Sequence, residues 1–84
     1  MTGSEPRVVL YTRPDCHLCA TAREVVESVA GQAGTGWTEV DITAGPGAAA
    51  LTEKYGEYVP VVEVDGVQQG FWRIDPARLA RLLA

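Results

Sequence analysis

Thr12–Cys19 reads TRPDCHLC and contains both cysteines of the chain, Cys16 and Cys19. Residues 8–12, directly before it, are rich in β-forming side chains. Residues 17–32, directly after it, have an apolar stripe at helical spacing that is expected to face the core: Leu18, Ala22, Val25, Val26 and Val29. The two cysteines are therefore predicted to lie where a strand passes into a helix.

This position favours a reactive thiol at Cys16. The first turn of a helix has backbone N–H groups without partners and a positive dipole, so it stabilises an anion such as a thiolate. Cys19 lies one helical turn further on, on the same face, where it can attack a mixed disulfide formed on Cys16. The spacing predicts that Cys16 attacks a disulfide and that Cys19 resolves the product.

Length, composition and charge limit the classes of protein. The chain has 84 residues, of which 46% are hydrophobic, so it is expected to form one small domain with its own core. The net charge of −4 and the lack of a basic run argue against nucleic-acid binding. No apolar stretch approaches the ~18 residues of a membrane span, so no membrane partner is expected.

Residues 1–6 are expected to be a flexible N-terminal tail without the apolar core of a signal peptide, and residues 7–84 to be the domain. We expect a cytoplasmic monomer. In the cytoplasm, a single cysteine pair is more typical of catalysis or metal binding than of a structural disulfide.

A zinc site usually needs four ligands, and only His17 could add to the two thiols, so no metal site is predicted.

The rest of the chain alternates strands with helices. Further strands are predicted over residues 37–42, 59–64 and 67–71, and further helices over residues 48–55 and from residue 76 onward. Pro46 and Pro76 suit the first positions of these helices, with Asp75 as a cap. Asp65-Gly66 is typical of a tight hairpin. The resulting order is βαβαββα, an α/β fold with a four-stranded mixed sheet and helices on both faces.

A Cys-x-x-Cys motif beside a βαβ pattern is typical of thioredoxin-like redox proteins. The chain resembles the small glutaredoxin-like proteins of bacteria from residue 8 to residue 83. The matching segments are Tyr11-Thr12-Arg13, the Cys-x-x-Cys motif, Val59-Pro60 and Asp65-Gly66. The resemblance implies a thioredoxin fold, thiol–disulfide exchange, Cys16 as the nucleophile, Cys19 as the resolving thiol, and a cis Pro60 beside the disulfide.

The chain departs from that family at two places. His17-Leu18 stands between the cysteines where Pro-Tyr is usual, and Gly70-Phe71-Trp72 replaces the Gly-Gly pair of glutathione-binding members. Phe71 would lie where backbone normally approaches the tripeptide. Another low-molecular-weight thiol, such as mycothiol, or a protein disulfide is therefore as good a candidate substrate as glutathione.

Charged neighbours of Cys16 are candidates for tuning its thiolate. Protonated His17 and the permanently charged Arg13 would favour the anion, whereas the carboxylate of Asp15 would oppose it. Either cation is also compatible with a plain solvent-facing position.

Five residues are candidates for binding the substrate: Tyr11, Val59, Pro60, Phe71 and Trp72. A cis Pro60 would leave the backbone N–H and C=O of Val59 free to pair with an incoming peptide. Phe71 and Trp72 are either packing residues or an exposed aromatic contact for a protein substrate. Tyr11 is expected at the edge of the site.

The favoured hypothesis is a thiol–disulfide oxidoreductase without a bound cofactor. An external reductant, either glutathione, mycothiol or a thioredoxin-reductase system, would regenerate its dithiol. One alternative is a module in which two subunits share an iron–sulfur cluster through Cys16. Another is a non-catalytic redox sensor or scaffold that binds a partner through Phe71 and Trp72.

Overall fold

Seven elements follow one another in the order βαβαββα within residues 6–84, which a computed structural model of the chain describes. The strands are β1 (Val8–Thr12), β2 (Trp37–Asp41), β3 (Val61–Val64) and β4 (Val67–Phe71), and the helices are α1 (His17–Ala33), α2 (Ala48–Tyr55) and α3 (Pro76–Leu83). The predicted order of elements is confirmed. The predicted tail, residues 1–6, lies outside the described residues except for Pro6.

The four strands form one mixed sheet in the order β2-β1-β3-β4. β1 runs parallel to β2 and antiparallel to β3, and β3 and β4 form an antiparallel hairpin. Asp65 and Gly66 both have positive φ at the hairpin turn, 53° and 85°. Among residues 6–84, no helix combines the length and the apolar character that crossing a bilayer requires.

Two clusters of buried side chains lie on opposite faces of the sheet, because neighbouring residues of a strand point to opposite sides. The larger cluster joins the sheet to α1 and α3, and includes Val8, Leu10, Val26, Val62, Leu79 and Leu83. The smaller cluster lies under α2 and consists of Cys19, Ile42, Tyr55, Val59 and Val61, with Tyr11, Cys16 and Leu51 packed against it. The predicted arrangement of helices on both faces is confirmed, and the thiols belong to the smaller cluster.

The apolar stripe of α1 differs by one residue from the prediction. Leu18 was expected in the core but is 38% exposed, whereas Cys19 is 1% exposed. One residue rotates a helix by about 100°, so placing Cys19 inward turns Leu18 outward. The helix also passes through Gly31 and ends only at Gly34, which has a φ of 71°.

Two other predicted boundaries were wrong. Pro46 is not the first residue of α2, because Gly47 adopts a left-handed conformation with a φ of 86° and becomes the cap before Ala48. β3 begins at Val61 rather than Val59. Pro60 has no N–H to give to the ladder, and the N–H of Val59 is already bonded to Tyr55.

The N-terminus of α3 is capped by Asp75, as predicted. Its carboxylate accepts hydrogen bonds from the backbone N–H groups of Ala77 at 2.9 Å and Arg78 at 3.4 Å. We expect Asp75→Ala to lower the free energy of unfolding by about 1 kcal/mol, because two N–H groups lose their acceptor. Urea denaturation at neutral pH measures this loss. Asp75→Asn keeps an acceptor and should lose less; equal losses in both variants would contradict the capping role.

Candidate active site

Cys16 and Cys19 are bonded to each other as a disulfide, and their Cα atoms lie 5.2 Å apart. Cys16 is the cap residue of α1, with an extended backbone, and its Sγ accepts a hydrogen bond from the backbone N–H of Cys19 at 3.1 Å. The two residues differ in accessibility, since Cys16 is partly exposed and Cys19 is buried. A partner can therefore reach Cys16 from solvent, whereas Cys19 is covered and is bonded to Cys16.

The loop before Cys16 is held where it leaves β1 and turns sharply before Cys16. At the end of β1, the buried Thr12 donates its hydroxyl to Glu39 at 2.7 Å, and its carbonyl accepts the N–H of Ile42 at 2.9 Å. Asp15, directly before Cys16, has a φ of 60°. This left-handed conformation is uncommon for residues other than glycine, although aspartate tolerates it better than most. The loop thereby turns the chain from β1 into α1 with Cys16 at the junction.

A shallow surface depression surrounds Cys16. Its lining residues are Arg13, Pro14, Asp15, Cys16, His17, Ala20 and Arg23. The predicted neighbours Arg13 and His17 are thus placed beside the thiol, both exposed. Arg13 donates to the carbonyl of Gly56 at 3.3 Å. Among the described hydrogen bonds, neither side chain donates to sulfur, so their effect on the thiolate would act through space. Within residues 6–84, no group of three or more His, Cys, Asp or Glu side chains could hold a metal ion.

Arg23 also lines this depression, and it was not identified from the sequence. Its guanidinium makes two hydrogen bonds to the carboxylate of Glu39, each 2.7 Å long. Because Glu39 also accepts the hydroxyl of Thr12, this contact ties α1 to the two strands beside the loop. Arg23 lies seven residues after Cys16, which is two helical turns on the same face, so its helical spacing could have indicated it.

The carboxyl of Glu39 has a pKa below its ordinary 4.5, chiefly because Arg23 donates to it, while partial burial acts in the opposite direction and Thr12 adds a further hydrogen bond. A group whose folded pKa is lowered stabilises the fold fully above its unfolded pKa. That stabilisation is lost as the pH falls from 4.5 through the lowered pKa. The wild-type protein should therefore lose stability in this range.

We expect Glu39→Gln to remove that part of the acid sensitivity. The difference between wild type and variant should be about 1 kcal/mol or less, since the pair is partly exposed and solvent screens it. Urea denaturation of both proteins at pH 6 and in steps below pH 4.5 measures it. Parallel curves for the two proteins across this range would contradict the assignment.

Val59 belongs to the smaller core cluster with Cys19, and Pro60 is also buried. The peptide bond between Val59 and Pro60 is cis, as the resemblance implied. The prediction that both backbone groups of Val59 are free was wrong for its N–H, which donates to the carbonyl of Tyr55 at 3.1 Å. The reason is that the C-terminal carbonyl of α2 faces this segment. The carbonyl of Val59 accepts no hydrogen bond within the described residues.

Phe71 and Trp72 form an exposed aromatic cluster with Tyr58, a residue that the sequence analysis did not single out. Ring centroids are 5.1 Å apart for Phe71 and Trp72, 5.6 Å for Tyr58 and Phe71, and 6.3 Å for Tyr58 and Trp72. The exposed fractions are 46% for Tyr58, 42% for Phe71 and 49% for Trp72. Tyr58 could have been noticed as an aromatic residue two positions before Pro60.

The backbone and indole of Trp72 are anchored to the segment that leads to Pro60. Its backbone N–H donates to the carbonyl of Pro60 at 2.9 Å, and its indole N–H donates to the carbonyl of Glu57 at 2.9 Å. Trp72 has a φ of 64°, an unusual conformation for so bulky a residue. The aromatic cluster is therefore held in place beside Val59 and Pro60.

Tyr11 is partly buried and faces α2. Its ring centroid lies 5.0 Å from that of Tyr55, and its hydroxyl donates to Glu63 at 3.3 Å. Burial, and then the nearby carboxylate of Glu63, raise the pKa of Tyr11 above its usual range. Glu63 was not recognised from the sequence, because the pairing of β1 with β3 brings it to Tyr11.

The chain is similar to other proteins over most of its length. A family model described as Glutaredoxin-like domain (DUF836) matches residues 7–84. The uncharacterized protein Rv0508 of Mycobacterium tuberculosis is 32% identical over 78 residues, which cover 90% of this chain and 80% of that protein. The X-ray structure of protein XcR50 from X. campestris is 37% identical with a TM-score of 0.67, covering 90% of this chain and 93% of the other.

A more distant neighbour supports the fold. The crystal structure of the holo form of glutaredoxin C1 from Populus tremula × tremuloides has a TM-score of 0.59 at 22% identity, covering 96% of this chain and 86% of that chain. The predicted thioredoxin-like fold is thereby confirmed, with a Cys-x-x-Cys pair at the start of its first helix. On the match to residues 7–84, the chain belongs to the glutaredoxin-like domain family.

Proposed function

We propose that this protein is a thiol–disulfide oxidoreductase that reduces disulfides through the dithiol of Cys16 and Cys19. The observation that supports this most strongly is the unequal burial of two cysteines whose sulfurs are bonded to each other. A partly exposed sulfur at a helix N-terminus suits attack on a partner, and a buried sulfur one turn away suits resolution.

The reaction has two exchange steps. The thiolate of Cys16 attacks one sulfur of the substrate disulfide, and the other sulfur leaves and takes up a proton. The thiolate of Cys19 then attacks the Cys16 sulfur of this mixed disulfide, forms the Cys16–Cys19 bond and releases the second substrate sulfur as a thiol. Two electrons and two protons pass from the dithiol to the substrate.

The environment of Cys16 supports its role as the attacking thiolate. The backbone N–H of Cys19 points to the Cys16 sulfur, and the positive end of α1 favours negative charge there. We propose that Arg13 and His17, in the same depression, add to this stabilisation, and that the nearby Asp15 reduces it.

For substrate binding, we propose that the aromatic cluster contacts a protein partner whose disulfide reaches Cys16. Large aromatic side chains that are exposed and rigidly held are typical of the centres of protein interfaces. We propose that the carbonyl of Val59, which accepts no hydrogen bond within the described residues, accepts one N–H of the partner, and that Pro60 and Tyr11 form the surface beside the sulfurs. Since the N–H of Val59 is occupied, pairing as a full added strand is not part of this proposal.

The partner that regenerates the dithiol is an external reductant, and no cofactor bound to the protein is proposed. We propose a cytoplasmic location, because a dithiol is kept reduced in that compartment, and we propose that the protein acts as a monomer. The test incubates the oxidised protein separately with glutathione, with mycothiol, and with thioredoxin reductase and NADPH. Mass spectrometry after alkylation then counts free thiols. At least one reductant should restore both thiols; a disulfide inert to all of them would contradict the proposed function.

A further inference from the structure

The carboxylate of Glu63 lies between two tyrosine hydroxyls on the face of the sheet that α2 covers. Tyr55 donates its hydroxyl to Oε2 at 2.5 Å, and Tyr11 donates its hydroxyl to Oε1 at 3.3 Å. The two rings pack against each other with centroids 5.0 Å apart. Each carboxylate oxygen thus holds a side chain from a different element, since Tyr11 lies in β1 and Tyr55 ends α2.

The two tyrosines contact different parts of the thiol site. Tyr11 directly precedes Thr12 and the loop to Cys16, and it packs against the same buried cluster as Cys16. Tyr55 directs its backbone carbonyl to the N–H groups of Tyr58, at 2.9 Å, and Val59, at 3.1 Å. Glu63 therefore connects the strand that leads to Cys16 with the segment that leads to Pro60.

From this geometry we propose that Glu63 is a positioning residue of the thiol–disulfide site, which holds the Tyr58–Pro60 segment in register with Cys16 through Tyr11 and Tyr55. The inference rests on the proposed function and adds a residue to it. Glu63 acts through the two tyrosines, and its role is to fix where a substrate binds relative to the sulfur that attacks.

The surroundings of the two tyrosines keep their hydroxyls protonated. Burial raises the pKa of Tyr55 and Tyr11, and hydrogen bonding to Glu63 raises both further, so both hydroxyls keep the proton that they donate. The ammonium of Lys54 lies over the Tyr55 ring, 4.9 Å from its centroid, where the face of the ring attracts a cation.

The test compares Glu63→Leu with wild type in the reduction of a protein disulfide. We expect KM to rise about tenfold, because Tyr11 and Tyr55 both lose their acceptor and the Tyr58–Pro60 segment is no longer held relative to Cys16. The alkylation rate of reduced Cys16 by iodoacetamide should stay within about twofold of wild type, because this small reagent does not bind to the Tyr58–Pro60 segment.

Two further variants test the same contact. Glu63→Gln keeps an acceptor and should recover most of the loss in KM. The double variant with Tyr11→Phe and Tyr55→Phe should raise KM as much as Glu63→Leu. If Glu63→Leu does not fold, Tyr55→Phe alone carries the test and should also raise KM.

Asp65→Asn is the matched control, since Asp65 is a carboxylate of the same hairpin that binds Arg7 instead of a tyrosine. Its KM should equal that of wild type. An unchanged KM in the Glu63 and Tyr55 variants would overturn the inference. It would also be overturned if Asp65→Asn raised KM equally, or if Cys16 alkylation slowed in parallel with KM. A wild-type protein inactive in the same assay would instead reject the proposed function itself.

Discussion

Cys16→Ser should reduce no disulfide above the uncatalysed background. Cys16 is the sulfur that solvent reaches, and a serine hydroxyl at a helix N-terminus is not ionised at neutral pH and does not attack a disulfide. Cys19 cannot take over, because its side chain is 1% exposed. A fluorescence assay of a labelled protein disulfide, with reductant in excess, measures the loss.

Cys19→Ser provides the counterpart of this prediction. Cys16 should still attack, but the mixed disulfide should accumulate because no second thiol resolves it. Intact-mass spectrometry should show the protein with one substrate thiol attached, and the Cys16→Ser, Cys19→Ser double variant should show none. Equal residual activity in the two single variants, or a mixed disulfide trapped on Cys19, would contradict the assigned order of attack.

Trp72→Ala should lower kcat/KM for a protein disulfide about 30-fold, since truncating a central aromatic residue of an interface typically costs about 2 kcal/mol or more. The indole is half exposed, and its N–H is held by Glu57, so it offers an apolar surface at little entropic cost. Reduction of a small synthetic disulfide, which does not reach the cluster, should change less than about threefold. Steady-state kinetics on both substrates measures the ratio.

Trp72→Gly is the matched control for this substitution. At a φ of 64°, glycine is unstrained and alanine is not, so the glycine variant should be at least as stable while it lacks the same side chain. Both variants should therefore lose activity on the protein disulfide to a similar extent. A loss that follows the melting temperature of each variant, or that is equal for the two classes of substrate, would contradict a role in docking.

Local signals were sufficient to predict the order of the elements. The Asp65-Gly66 pair indicates its hairpin because both residues tolerate the positive φ that the turn requires, and Asp75 indicates the start of α3 by its side-chain acceptor. Boundaries that depend on tertiary contacts were predicted less well. Leu18 and Cys19 are both apolar, and packing against α2 and the sheet decides which of them is buried.

The residues of the candidate site also divide into those that local sequence indicates and those that only tertiary contacts bring to the site. Cys16 and Cys19 were identifiable because they lie three positions apart at the start of a predicted helix, and the cis bond at Pro60 followed from a resemblance rather than from composition. Glu63, by contrast, reaches the site only through the register of β1 with β3 and the packing of α2. The bond from Val59 to Tyr55 likewise depends on where α2 ends relative to β3, which no local pattern specifies.

Cys16 is proposed as the accessible nucleophile and Cys19 as its buried partner. Alkylation of the fully reduced protein with less than one equivalent of iodoacetamide, followed by peptide mass spectrometry to locate the label, distinguishes the two thiols. We expect the label almost exclusively on Cys16, and we expect the labelled protein to reduce no disulfides. Labelling of Cys19 at an equal or faster rate would contradict this assignment.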